Sequence, residues 1–240
     1  MGASACTEPF LKRGGGGAGA GIVRTSIGTV TDRILNANAT TSLATPVIPA
    51  NAFLLVAATY NTASVVGQID PVLVTAGITL TLAQQCFFGT DNVTYVWYRY
   101  GGGLAADTLR WNWPNPPTSP DFAAFACYVT GLGGTVDFNA FNAAAGTTQN
   151  SSAIGVITAP AYGFGAIGTD GRSTDTVGTW DDGAIGQPPN VSAVANAGTA
   201  NLGGVQIKVG ELIIAANQQM SLGVTGATSR NFGAITQALR

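Results

Sequence analysis

The sequence predicts an all-β protein, an antiparallel β-sandwich or barrel preceded by an extended N-terminal arm. Three observations carry this. Helix signals are nearly absent: Glu and Lys occur twice each, and no window sets apolar residues at i, i+3, i+4 and i+7 against a charged face. Short β-branched or aromatic runs bounded by Gly, Pro, Asn or Asp recur along the chain. Finally, the first 47 residues are rich in Gly, Ala, Ser and Thr and lack a sizeable apolar run.

The arm, residues 1–47, contains "FLKRGGGGAGAGIVRT" at residues 10–25. Gly14, Gly16 and Gly19 match the glycine spacing of a dinucleotide loop, but that loop works only between a buried strand and a helix N-terminus. Neither element is predicted here, and no Lys-Ser or Lys-Thr follows the glycines as a phosphate loop requires. The run reads as a tether. Its apolar and cationic residues Phe10, Leu11, Lys12, Arg13, Ile22, Val23 and Arg24 are the candidates for gripping a neighbouring subunit.

The body, residues 48–240, contains ten predicted strands: 52–60, 77–85, 93–100, 107–113, 121–131, 135–141, 152–158, 162–168, 203–219 and 230–239. Two glycine-rich connections, in "VTYVWYRYGGGLAADTLRWNW" and "YVTGLGGTVDF", predict hairpins. Pro160 separates the strands around it because proline cannot donate within a ladder. The segment 169–204 has weak periodicity and predicts an exposed loop. No repeat with a period of 20 to 50 residues is visible, which disfavours solenoids and propellers.

Charged residues make up 9% of the chain and its net charge is −2. A Thr/Asn/Gly surface of this kind suits a chain packed in an assembly or exported. The overall charge offers no nucleic-acid footprint, and the arm's Lys12, Arg13, Arg24 and Arg33 are partly offset by Glu8 and Asp32. No run approaches the length of a membrane span, and no secretory leader is predicted. Cys6, Cys86 and Cys127 form no C-x-x-C, so neither a zinc site nor a disulfide framework is indicated, although a Cys86–Cys127 bridge stays open.

Histidine is absent, which removes Ser-His-Asp and Cys-His catalysis. Asp170, Asp175, Asp181 and Asp182 could form a carboxylate pair or a calcium loop, but their solvated Gly/Ser/Thr setting and spacing fit neither. No catalytic residue, metal or cofactor is predicted. Period-2 geometry puts Tyr95 and Trp97 on one face of their strand and Tyr98 and Tyr100 on the other. Such aromatics fill sandwich cores; exposed, Trp111, Trp113 and Trp180 would instead stack on sugar rings.

The succession "IPANAFLLVAATYN", "VTYVWYRYGGGLAADTLRWNWP", "FAAFACYVTGL", "TVDFNAFNAAAGTTQNSSAIGVIT", "GELIIAA" and "RNFGAITQAL" resembles the Ala/Gly/Thr-rich β-sandwich modules of tailed-bacteriophage virions. The resemblance spans about residues 48–240 and rests on strand order and composition. It implies a jelly-roll-like sandwich that is made in the host cytoplasm and resides on the capsid surface as a decoration or cement protein. Its implied partners are the major capsid protein or other virion subunits, with a homotrimer favoured and no role for nucleic acid or membrane. A tail or fibre adhesin that binds carbohydrate is the alternative. No catalytic or metal residue carries over.

Overall fold

A computed structural model describes residues 21–34, 39–61, 67–113, 120–152, 154–182, 191–199 and 204–240. These residues form antiparallel β-sheets throughout, as the sequence predicts. The first half contains β1 (Val23–Arg33), β2 (Ala39–Thr45), β3 (Phe53–Asn61), β4 (Val72–Leu73), β5 (Ile78–Thr79), β6 (Thr81–Phe88), β7 (Asn92–Tyr100), β8 (Asp107–Trp113) and β9 (Asp121–Thr130). The second contains β10 (Val136–Gly146), β11 (Gln149–Asn150), β12 (Ile154–Ile157), β13 (Ala161–Thr169), β14 (Thr179–Asp182) and β15 (Ser192–Gly198). It continues with β16 (Gln206–Ile214), β17 (Gln218–Met220), β18 (Leu222–Thr225) and β19 (Arg230–Leu239).

The sheets stack in four layers. A five-stranded sheet ordered β1-β9-β3-β7-β6 and a second ordered β10-β19-β13-β16-β15 lie face to face in the middle. Phe53, Leu55, Phe125, Phe164, Val209 and Ile235 interlock between them. Outside the first lies the sheet β2-β8-β4-β5, with Tyr95, Trp97, Trp111, Trp113 and Phe122 filling the gap. Outside the second lie β11-β18-β14 and the pair β12-β17, packed through Trp180, Leu222 and Phe232. The central sheets are thus covered on both faces, and β3, β9 and β13 are continuous apolar runs because neither face meets water. The outer strand β8 shows the one-sided alternation, burying Leu109, Trp111 and Trp113 and turning Asn112 outward.

The two halves repeat one plan. In each, the first strand pairs with the last, the last with the third (β3) or fourth (β13), and the second with the last but one. The registers agree in detail. The edge strand β6 carries a bulge between Leu82 and Gln84, opposite Trp97 and Val96; β15 carries one between Ala193 and Ala195, opposite Gly210 and Val209. Matching the two bulges and following the ladders puts Phe53 on Tyr162, Tyr98 on Glu211, Phe122 on Phe232 and Ala124 on Ala234. One corner is built twice with its side chains exchanged. Asn61 accepts from the Asp121 amide at 2.7 Å, and at the matching place Asn231 donates to Asp170 at 2.6 Å.

Several expectations change. Residues 21–34 and 39–47 belong to the body, since β1 pairs with β9 and β2 with β8. They read as an arm because an edge strand buries little, and β1 is intermediate or exposed throughout. Neither predicted hairpin pairs its strands: β7 and β8 lie in different sheets, as do β9 and β10. The glycines at 131 and 134 make the passage between halves, and a side chain at Gly134 would collide with the Tyr100 ring. Within 169–204, β14 and β15 are strands, and Trp180 is buried. Cys86 and Cys127 are buried free thiols rather than a bridge.

Candidate functional site

The predicted gripping residues separate. Phe10, Leu11, Lys12 and Arg13 lie outside the described residues. Ile22 is buried in the interface between the two halves and Val23 is exposed. Arg24 on β1 reaches across to β16, where its Nε donates to Glu211 at 2.7 Å. The Tyr162 hydroxyl donates to the same carboxylate oxygen, also at 2.7 Å. Arg24 therefore serves its own molecule, as an ionic clasp between the central sheets. At the corresponding place in the other half stand Phe53 and Tyr98, whose rings lie 6.2 Å apart.

The candidate sugar-stacking residues Trp111, Trp113 and Trp180 are all buried, so none offers an indole face to a ring. Trp113 packs edge-on against Tyr60 and Phe122, and its indole N–H donates to Thr41 at 3.2 Å. Trp180 lies flat over Gly210, the position matching Trp97, where a side chain would strike the indole. Large and small residues have exchanged places between the halves, a volume-conserving way to fill two similar cores. Tyr95 and Trp97 do face the outer sheet while Tyr98 and Tyr100 face the second half, as their alternation predicts.

Charged chemistry in the second half is knitted inward. Arg230 holds Asp175 through two hydrogen bonds at 2.9 and 3.0 Å, and this contact keeps the carboxyl below its usual range. Lys208 is fully buried where the first half has Tyr95, and its Nζ donates to Gln149 Oε1 at 2.8 Å. Burial lowers its pKa to about 8. Gln149 in turn donates to the carbonyls of Gly146 and Thr228. The side chains of Asp181 and Asp182 lie outside the described residues. Among the described residues no three His, Cys, Asp or Glu side chains converge as metal ligands.

Among the described residues a groove of about 520 Å³ lies where the edge strand β6 of one central sheet meets the edge strand β10 of the other. Leu82, Ala83, Phe141 and Ala143 line it together with Gln84 and Gln85, and no lining side chain is charged. Phe87 and Phe141 stand 54% and 53% exposed on its walls. Cys86 also borders the groove, but burial pushes its thiol up to about 11, which keeps it protonated and unreactive at neutral pH. No sequence signal points to this groove because its walls are far apart in the chain. Comparison with family models, curated proteins and solved structures returned no match.

Proposed function

We propose that this chain is a non-enzymatic structural protein of a virion, a capsid decoration or cement protein that docks on the shell as an oligomer and stabilises it. The observation that carries the reading is the division of chemistry in the body. Among the described residues the ion pairs Arg24–Glu211, Arg230–Asp175 and Arg240–Asp137 tie its own elements together. Phe87, Phe141, Val23, Val47 and Val156 meanwhile stand exposed. Of these, Phe87 and Phe141 share one groove, and neighbouring bared apolar side chains support an associating surface. The strand order supports a jelly-roll-like reading of each half, because first-to-last pairing is how a chain wraps into two packed sheets, an architecture used by capsid proteins. This support is by analogy of architecture.

Imaging of the particle with which the protein copurifies tests the proposal. Ordered copies over shell junctions in fixed ratio to the main shell subunit are expected. Absence from the particle, or density confined to a tail fibre, would sink the cement reading. A companion experiment removes residues 1–20 and measures particle binding; the cut stops there because β1 begins at Val23. Retained binding would show that the N-terminal segment is not the anchor.

A further inference from the structure

We infer that Glu211 works a latch at the root of β1: loss of its negative charge frees residues 22–26 from the body while the rest of the strand stays paired. Strand β1 is held unevenly along its length. Its register against β9 shifts between Ser26 and Gly28, which divides the strand in two. From Ile27 onward it is well anchored, since Ile27 and Val30 pack onto the core beneath the outer sheet and the Asp32 carboxylate accepts from the Thr41 hydroxyl of β2 at 2.8 Å. Before the shift the hold is slighter. Val23, Thr25 and Ser26 are exposed, Ile22 is buried between the halves, and Arg24 is half-buried with its head on Glu211 of β16.

One carboxylate oxygen carries that contact. Glu211 Oε2 accepts from Arg24 Nε and from the Tyr162 hydroxyl, each at 2.7 Å, and the Arg24 and Glu211 side chains are only 10% and 15% exposed. A pair so far out of water is costly to break from one side, because the charge left behind has lost both its hydration and its counter-charge. Protonating Glu211, or replacing it by a neutral residue, puts the Arg24 guanidinium in that position. The other titratable groups facing Glu211 are Tyr162 from β13 and Cys127 from β9, and burial keeps both protonated, so neither supplies a replacement negative charge. The adjoining strand β15 carries no charged residue, Tyr60 of β3 turns to the outer sheet, and Lys208 of β16 lies on the opposite face of its sheet. The smallest movement that returns the guanidinium to water is a local one. It parts residues 22–26 from β9 and withdraws one buried side chain, Ile22, from the interior.

Amide hydrogen exchange of the full chain tests the latch. At pH 7, Glu211→Gln should speed exchange of the protected amides within residues 22–26 about tenfold over the wild type, equivalent to 1.4 kcal/mol, and leave residues 28–33 unchanged. Adding Arg24→Met to that variant should restore wild-type exchange, because no stranded charge remains; a general loosening of the fold would give no such rescue. The wild type, acidified stepwise from pH 7 to pH 3 with rates corrected for intrinsic exchange, should open the same segment before it unfolds globally. Glu211→Gln should show no further opening there on acidification. Asp175→Asn, which strands Arg230 at a different place, should leave residues 22–26 as they are. Unchanged exchange in Glu211→Gln, no rescue by Arg24→Met, or opening of residues 22–26 by Asp175→Asn would each overturn the latch. So would acid opening that starts elsewhere or takes the whole of β1 at once, and this series on the wild type decides the matter even where a variant fails to fold.

Discussion

Lys208 is the residue through which pH acts on stability. Burial lowers its pKa from 10.5 to about 8, so between those values the unfolded chain holds a proton that the folded chain has released. The contribution of Lys208 to stability therefore rises with pH across that window, by at most about 1.4 kcal/mol for each pH unit. From about pH 9 the buried thiols of Cys86 and Cys127, and near pH 10 the buried Tyr60, Tyr95 and Tyr162, oppose the trend, because burial raises their pKa values and only the unfolded chain ionises. The urea midpoint of the wild type relative to that of Lys208→Met should climb from pH 7.5 through 8.5 to 9.5, since the thiols and phenols act alike in both; a constant difference would remove Lys208 as a cause. A second prediction concerns Gly168, where a side chain would collide with the hydroxyls of Thr59 and Thr94 across the two central sheets. Gly168→Val should cost about 1–3 kcal/mol by overpacking, read as a lower urea midpoint.

At the scale of elements, β1 is the test case. Removing residues 1–20 should leave the circular dichroism spectrum and melting temperature unchanged, whereas removing residues 1–35 strips β1 from β9 and bares an apolar edge. The longer truncation should melt lower and associate on size exclusion; equal behaviour of the two would contradict the strand's place in the body. The same element shows what was legible. Strands buried on both faces, such as β3 and β9, announce themselves as unbroken apolar runs, and every predicted strand segment of the body has a strand within it. "VRTSIGTVTDR" of β1 and "SAVANAG" of β15 do not, because edge strands draw their order from a partner's backbone more than from their own burial. Connections are less legible for a related reason: a glycine-rich link looks alike whether it folds a hairpin or passes between sheets. The tryptophans' burial was legible as the ordinary fate of such residues, but the exchange of Trp97 for Gly210 was not. It is visible only once the bulges align the halves.

At the scale of the whole molecule, the halves depend on each other. Each could wrap its own core, but the faces carrying Phe53, Leu55 and Phe125, and Phe164, Val209 and Ile235, are apolar on the side turned to the other half. Unfolding should therefore be a single transition. Residues 21–130 and 131–240 expressed separately should bind a hydrophobic dye and aggregate, and coexpression should recover soluble protein; two independently stable halves would refute the coupling. The clasp contributes to it. Arg24→Ala and Glu211→Ala should each cost about 3 kcal/mol by stranding a largely buried charge, and the double variant should cost less than their sum. The clasp also breaks the symmetry of the repeat: an ion pair ties the halves at Arg24 and Glu211, whereas Val136 and Tyr98 stand at the matching places. A change of charge at Glu211 therefore reaches one seam of the molecule and leaves its counterpart untouched.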